Sequence, residues 1–366
     1  MTRGFREPSD GFEPMAVALT SIREFTSLRV DRKGLDTMST TRSTGHLTWR
    51  RALLTLAVTS TALAALALPA GAATTHDGAS GDYTLTIEGG NAYPESISAD
   101  SRYIYTGSID TGTVYRGRVG SRTLEPFLPG GQDGRTEVTG VKTDGDRLLL
   151  AGAFTGQFFI YTDTGKLVAS YTVPDTGEQT LVNDEVVAPD GDVYITDSFR
   201  AVIYRIPAAE VNAPATGVHR TLQVAYQLPD YVAGTSNGNG ITTTPDGRSL
   251  IIGYWYSGAL YKLTLATGEI TKIDAPALTS ADGIFRLGDT LYIDRSVNDE
   301  FATVRLSDDD TRGTVVSERT FPGIDTPTGI TVSGNRLLVT NSQMNNYLYG
   351  DPLQSPVFTI ESLPLH

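Results

Sequence analysis

Residues 183–206, NDEVVAPDGDVYITDSFRAVIYRI, decide the fold of this chain. They contain a short apolar run, a Pro-Asp-Gly turn, a second run (DVYITD), another turn and a third run (AVIYRI). Short β-branched and aromatic runs separated by Gly, Asp and Pro predict antiparallel strands joined by tight turns. Long amphipathic helical patterns are absent from the sequence after residue 80. We therefore predict an all-β fold.

The same pattern recurs in five further stretches, so the chain is built from similar units. Successive units begin 43 to 56 residues apart, at Glu95, Thr139, Asn183, Asn239, Asp282 and Thr328. This period and strand content are typical of β-propeller blades, which predicts a six-bladed β-propeller over residues 74–366. The longest spacing falls where residues 208–220, AAEVNAPATGVHR, are expected to insert a loop.

A ring of blades has to close, and two spare strands are available for this. They are YTLTIEGG, which begins at Tyr83, and PVFTIESLPL, which begins at Pro356. We expect one or both to complete the sixth blade, because an unpaired strand edge is a site for aggregation.

The first 73 residues do not resemble part of the propeller. Residues 1–37 match neither a signal nor a domain, and indicate a start codon assigned too early or a disordered extension. Residues 38–73 have a basic stretch, an apolar run over 52–68 and the small-residue exit PAGAA, the order of a secretory signal peptide. Arg50 and Arg51 leave open a twin-arginine signal instead of a Sec signal. We expect export, to the periplasm or outside the cell, with no stable membrane span after cleavage.

Charge and cysteine content limit the kinds of partner that the protein is expected to bind. The full chain has no cysteine and a formal net charge of −13, and residues 74–366 alone carry −16. We expect no nucleic acid partner, since binding to phosphates needs clustered cations. A strongly acidic protein attracts cations instead. We expect a monomer that acts on a small molecule.

The residues that open the six units predict a metal site. In a propeller, equivalent positions of the innermost strands face one central channel. The ring would bring together carboxylate and amide oxygens from four units: Glu95, Asn183, Asn239 and Asp282. Oxygen ligands without sulfur or imidazole suit Ca²⁺, with Zn²⁺, Mn²⁺ or Mg²⁺ as other divalent candidates. Asn-Gly and Asp-Gly pairs are also common turn signals, but these pairs open the units, and separate turns follow.

At these positions the chain resembles the family of senescence marker protein, gluconolactonase and luciferin-regenerating enzyme. The resemblance rests on PESI, NDEVVAPDGDVYITDS, NGITTTPDG and ADGI, and spans about residues 93–346. It implies a divalent cation, usually Ca²⁺, in the channel and hydrolysis of lactones or phosphotriesters. It also implies Glu95, Asn239 and Asp282 as metal ligands, with Asn183 on the metal or on substrate beside it.

The sequence departs from related propellers in two respects. The first motif reads ESI where family members often have EGP. The similar but distant paraoxonases use a histidine dyad, whereas His76, His219 and His366 do not lie at unit openings. A histidine base is therefore not expected.

The predicted reaction is calcium-dependent opening of a lactone or related ester. The cation would polarise the carbonyl, and Asp282 would act as the catalytic residue, activating a water or attacking directly. Water activation is favoured for a lactone. Further residues are predicted to contact substrate or support the site, although packing between blades is the favoured explanation for the aromatic ones and space-filling explains the threonines equally well: Asp184, Thr139, Thr328, Phe154, Phe199, Trp255 and Tyr256.

Three other functions fit the same residues. The first is a non-catalytic propeller that binds a ligand or protein and uses Ca²⁺ structurally, because fold alone does not define function. The second is a phosphotriesterase-type hydrolase using the same site. The third is an enzyme of a biosynthetic pathway that opens or closes a ring.

Overall fold

The structure is a computed structural model that describes residues 82–365, so the predicted extension and signal peptide lie outside the described residues. The described part contains 25 β-strands and two short α-helices. The all-β prediction is confirmed. No helix among these residues has the length and apolarity needed to cross a membrane.

Most strands pair with their sequence neighbours in antiparallel meanders. Strand β1 is Tyr83–Ile87. The first group contains β2 (Pro94–Ala99), β3 (Tyr103–Ser108), β4 (Val114–Arg118) and β5 (Thr123–Leu128). The second contains β6 (Val141–Asp144), β7 (Arg147–Ala151), β8 (Gln157–Thr162) and β9 (Leu167–Thr172). The third contains β10 (Val182–Val187), β11 (Val193–Asp197), β12 (Val202–Ile206) and, after an insertion, β14 (Gln223–Gln227).

The remaining groups follow the same plan. The fourth contains β15 (Gly238–Thr243), β16 (Ser249–Tyr254), β17 (Leu260–Thr264) and β18 (Glu269–Lys272). The fifth contains β19 (Ala281–Leu287), β20 (Thr290–Arg295), β21 (Glu300–Leu306) and β22 (Gly313–Arg319). The sixth contains β23 (Ile330–Ser333), β24 (Arg336–Asn341), β25 (Phe358–Pro364) and β1.

The insertion in the third group is more ordered than the loop we expected. It contains helix α1 (Ala208–Val211) and strand β13 (Val218–Thr221). Strand β13 pairs in parallel with β9 and so adds a fifth strand to the second group. The prediction of a plain loop over residues 208–220 was wrong, because the exposed edge of β9 offers pairing partners that the local sequence does not reveal.

Both spare strands close the structure, as predicted. Strand β25 pairs with β24, and β1 pairs with β25 in antiparallel register from Tyr83↔Ser362 to Ile87↔Phe358. Strand β1 also forms a short parallel pairing with β5. The sixth group is therefore completed from the N-terminal side and is joined to the first.

The groups contact one another in a closed series. The innermost strands touch in the cyclic order β2, β6, β10, β15, β19, β23 and again β2. Six hydrophobic clusters lie mainly between consecutive groups; one joins Val141 and Leu148 to Val114, and another joins Ile284 and Leu291 to Ile251. Both faces of most strands are thus buried, which explains their continuous apolar runs.

Glycine allows the inner strands to approach closely. A Cβ on Gly240 would lie 2.1 Å from the backbone oxygen of Asp282 in the next group. A Cβ on Gly329 would lie 3.0 Å from the backbone oxygen of Glu95 across the closure. These close approaches bring the first residues of neighbouring inner strands together. The candidate site forms in this region.

Candidate functional site

The six residues that open the sequence units line one pocket of about 110 Å³. They come from all six groups and are all buried: Glu95, Thr139, Asn183, Asn239, Asp282 and Thr328. We call these residues the floor ring. The structure therefore brings together every residue that the repeat predicted to face a common channel, across gaps of up to 233 positions between Glu95 and Thr328.

A β-bulge aims four of these side chains inward. In β2, β10, β15 and β19 the pairing with the next strand slips immediately after Pro94, Val182, Gly238 and Ala281. The following residue in each strand is the floor-ring residue. Bulges re-aim side chains and recur next to functional sites. The same local irregularity thus explains why Glu95, Asn183, Asn239 and Asp282 share one orientation.

Hydroxyl groups donate to the backbone carbonyls of the residues that precede the floor-ring residues. Thr139 Oγ1 donates to the Val182 carbonyl at 2.8 Å, and Thr328 Oγ1 donates to the Pro94 carbonyl at 3.3 Å. Ser198 Oγ donates to the Gly238 carbonyl at 2.7 Å and accepts from Asn183 Nδ2 at 2.9 Å. The two threonines therefore stabilise the neighbouring group, and only their lone pairs remain for a ligand.

Buried carboxyl groups crowd this region without forming ion pairs, and the only described charge that opposes the rise in the pKa values of Asp184 and Glu185 is that of Lys142. They are Glu95, Asp184, Glu185, Asp282 and Asp294, each less than a tenth exposed. None of the ion pairs within residues 82–365 involves any of them. Unpaired buried charge is expensive, so such groups take up a proton or bind a cation.

The raised pKa values of these carboxyl groups reflect the energetic cost of burying their charge. Burial raises the pKa of Asp282 to about 7, although hydrogen bonds from Ser296 and Asn239 oppose the shift. Burial, together with the charges of Asp282 and Asp184, raises the pKa of Glu95 well above its ordinary value. Carboxyl groups with raised pKa values that share a pocket are typical of functional sites.

Asp184 does not line the pocket. Its two carboxylate oxygens accept hydrogen bonds from the backbone N–H groups of Glu185 and Ile241, at 2.8 and 3.2 Å. Burial is the main cause that raises its pKa. Asp184 therefore links the third group to the fourth and adds negative charge behind the floor ring. This placement indicates a supporting carboxylate and not a substrate contact.

Glu185 and Asp294 do not line the pocket, but their charges raise the pKa of Glu95, and the sequence did not single them out. Both side chains are fully buried, and neither has a hydrogen-bond partner for its carboxyl oxygens. Their positions are exceptional within the repeat. The equivalents of Glu185 in the other groups are Ile97, Val141, Ile241, Ile284 and Ile330, and those of Asp294 are Gly107, Ala151, Thr196, Gly253 and Thr340. A comparison across the aligned units would have singled them out.

Above the floor ring, the wall of the pocket is largely apolar. Phe154 and Phe199 are in ring contact at 5.9 Å, and Trp255 donates from Nε1 to Ser296 Oγ at 2.9 Å. The other apolar wall residues are Ile109, Leu181 and Val297. Phe154, Phe199 and Trp255 thus line the pocket, and their contact with substrate stays a prediction. Tyr256 is half-buried and does not line the pocket.

A short helix between β24 and β25 completes the wall. Helix α2 (Met344–Tyr349) is flanked by Gln343 and Gly350, both in left-handed conformation. Met344, Asn345, Leu348 and Tyr349 face the pocket. Neither the helix nor Ser236, whose buried Oγ lines the pocket without a partner, was predicted.

The oxygen donors of the floor ring suit a divalent cation. Among residues 82–365, no cluster of three His, Cys, Asp or Glu side chains could hold a metal. The floor ring offers two carboxylates and two amides, oxygen donors that suit Ca²⁺ but not a softer metal. The uncompensated carboxyl groups make a cation favourable there. The residues present therefore fit a hard divalent ion with a shell completed by water or substrate.

The described histidine is remote from the pocket. His219 is exposed on β13 and lies within hydrogen-bond distance of Ser170 Oγ through Nδ1. His76 and His366 lie outside the described residues. The strongest proton acceptors of the pocket are consequently the floor-ring carboxylates.

Comparison with known proteins identifies the fold but no family. No protein-family model matches the chain, and no curated protein matches it. Among solved structures, a catalytically inactive variant of virginiamycin B lyase from Staphylococcus aureus with quinupristin aligns at 18% identity and a TM-score of 0.52. The alignment covers 78% of this chain and 88% of that one. The major Malassezia sympodialis allergen Mala s 1 aligns at 13% identity and a TM-score of 0.54, covering 76% and 95%.

These likenesses are too remote to assign an activity. A candidate 6-phosphogluconolactonase from Bacteroides fragilis is similar at 14% identity over 73% of this chain and 89% of that one, with a TM-score of 0.49. The shared fold, a closed series of four-stranded meanders, is that of a β-propeller. The resemblance to the gluconolactonase family stays a prediction.

Proposed function

We propose that this protein is a six-bladed β-propeller hydrolase that opens a lactone or related ester with the help of a divalent cation, in the first instance Ca²⁺. One observation carries the proposal. Residues from six separate groups converge on one pocket, and among them are two buried carboxyl groups without cationic partners, Glu95 and Asp282. Glu95, Asn183, Asn239 and Asp282 would hold the ion, which would supply charge stabilisation for the oxygen of the substrate carbonyl.

The residues of the chain would perform the remaining steps. Asp282 takes a proton from the attacking water as the water oxygen bonds to the carbonyl carbon. The ester carbon–oxygen bond then breaks, and Asp282 returns the proton to the leaving alkoxide, which yields a hydroxy acid. Burial raises the pKa of Asp282 to about 7 in the ion-free pocket, and a bound cation would lower it, which favours the carboxylate form that accepts the proton. The apolar wall limits access of other water molecules.

The proposal is tested with a panel of lactones assayed with and without EDTA. Turnover that disappears on chelation and returns with Ca²⁺ supports it. Asp282→Asn should reduce turnover by about a thousandfold or more, as loss of a general base commonly does, while leaving the circular dichroism spectrum unchanged. Asp289→Asn, at an exposed carboxylate in the turn before β20, is the matched control. Full activity in D282N would refute the assignment of Asp282.

A ligand-binding propeller with a structural cation is the second candidate. The apolar wall favours it as much as it favours an enzyme, because such pockets bind ligands with or without chemistry. The same assay separates the two: chelation that lowers the melting temperature, with no turnover of any lactone or phosphotriester, identifies the binding protein.

We also propose that the protein is exported and acts as a monomer. The basic, apolar and small-residue order of residues 38–73 supports export. Mass spectrometry of the secreted product would reveal cleavage near residue 73, and sedimentation would give its mass in solution. An intact N-terminus on protein recovered from the medium would contradict cleavage of the signal.

A further inference from the structure

We infer that the pocket selects a substrate with an aliphatic or aromatic substituent and does not accept a polyhydroxylated sugar lactone. The inference deepens the proposed function, since the reacting carbonyl is taken to lie at the floor ring. The selectivity argument itself rests on the wall and holds for any ligand of the pocket. It separates this chain from a sugar-lactone hydrolase, the activity named in the family resemblance.

The wall offers apolar surface from several groups at once. Phe154 belongs to the second group, Phe199 to the third, Trp255 to the fourth and Leu348 to helix α2 of the sixth. Phe154 and Phe199 are in ring contact, and all four side chains line the pocket. A substituent that enters this space is removed from water on several sides, which favours hydrocarbon and disfavours hydroxyl groups.

Most polar hydrogens of the wall and ring are already used. The Trp255 indole donates to Ser296, the Thr139 hydroxyl donates to Val182, and an Asn183 amide hydrogen is taken by Ser198. The hydroxyls of a sugar lactone would lose their water partners and find few replacements here. Ser236 Oγ, which is buried in the wall without a partner, and the amide of Asn345 are the exceptions. Above the floor ring, the pocket thus offers few polar groups to a substituent.

The mouth of the pocket extends the apolar surface outward. Val297 is 56% exposed and Tyr349 is 39% exposed, and both line the pocket. Large apolar side chains exposed at the rim of a pocket commonly mark a binding surface. A long substituent would leave the floor between Phe154, Trp255 and Leu348 and emerge beside these two residues.

The test uses Trp255 as a reporter of pocket occupancy. The chain has two tryptophans, Trp49 and Trp255, so a Trp49→Phe variant has a single indole whether or not residues 1–73 are removed, and that indole lies in the wall. Its fluorescence is titrated, in the presence of Ca²⁺, with alkyl-substituted δ-lactams and with the δ-lactam of gluconic acid, which resist hydrolysis. We expect saturable binding of the alkyl compounds, tightening about fourfold per added methylene until the chain reaches the mouth.

A matched pair of leucine variants checks that the wall is responsible. Leu348→Asn, in helix α2, should weaken alkyl-lactam binding about tenfold. Leu287→Asn, at an exposed leucine that ends β19 outside the pocket, should leave binding unchanged. Equal effects of the two substitutions would overturn the inference, as would gluconic lactam binding as tightly as the alkyl compounds, or alkyl lactams giving no saturable signal.

The outcome is separable from that of the proposed function. If no lactone is hydrolysed but alkyl lactams bind and L348N weakens them, the hydrolase proposal fails and the selectivity inference stands. If lactones are hydrolysed but sugar lactones are the better substrates and ligands, the hydrolase proposal stands and the selectivity inference fails.

Discussion

Removing the charge of Asp282 should stabilise the metal-free protein, and the size of the gain should depend on pH. Asp282 is buried, and its pKa lies at about 7 against an ordinary value of 3.8. Between these values the unfolded chain releases its proton while the folded chain retains it. The folded state therefore loses stability as the pH rises from about 4 to about 7 and keeps that deficit above it.

The size of the effect follows from the two pKa values. The penalty amounts to about 0.6 kcal/mol near pH 4 and rises to about 4 kcal/mol near pH 8. The upper figure is a ceiling, because water can enter the pocket and relieve part of the cost. Asp282→Asn has no charge to bury, so in EDTA it should be more stable than the unmodified protein near pH 8, by at least ~1 kcal/mol.

Urea unfolding of both proteins in EDTA near pH 4 and pH 8 measures this difference. Asp289→Asn removes an exposed carboxylate in the same group and should change stability by less than about 0.5 kcal/mol at either pH. Adding Ca²⁺ should stabilise the unmodified protein more than D282N, since the cation neutralises the charge that D282N lacks. A variant that is less stable near pH 8, or a gain that is the same at both pH values, would refute the reasoning.

Three other predictions concern the repeat and the cation. Chelation with EDTA near pH 8 should lower the melting temperature of the unmodified protein, and Ca²⁺ should restore it better than Mg²⁺; calorimetry showing no change would contradict the cation site. Glu185→Ile, which installs the residue found at four of the five equivalent positions, should raise the free energy of unfolding by about 1–3 kcal/mol, and a loss in urea titrations would mean that the carboxylate is satisfied. Gly240→Ala should lower the free energy of unfolding by more than about 2 kcal/mol, because the new Cβ meets the Asp282 carbonyl. Gly90→Ala should not lower it, because the space around Gly90 is open.

The repeat made much of the fold predictable. Six sequence units aligned by their Gly-Asp turns predicted both the strand order and the common direction of the floor ring, because equivalent positions in a closed repeat face the same axis. Closure by β1 and β25 followed from the need to pair open strand edges. These inferences depend on the periodicity of the repeat, which can be recognised within a single sequence.

Features without a periodic counterpart were not predictable. Helix α2 has the sequence MNNYLY, which carries no helical pattern longer than one turn. Strand β13 forms because β9 presents a free edge, a tertiary condition outside its own residues. The paired or unpaired state of Asp184, Glu185 and Ser236 depends on the neighbouring group, so their roles became visible only in three dimensions.

The closure by β1 sets the order in which this protein becomes complete. Tyr83–Ile87 precede every other described strand in synthesis, yet their antiparallel partner is Phe358–Pro364, and the Thr84–Glu361 hydrogen bond spans 277 positions. Until β25 has been synthesised, β1 has no antiparallel partner. The first and sixth groups are then not joined through these strands. We therefore expect a chain leaving the ribosome to acquire its closed structure, and with it resistance to proteases, in one late step. Truncation within β25 should leave a nearly full-length protein as vulnerable as a nascent one.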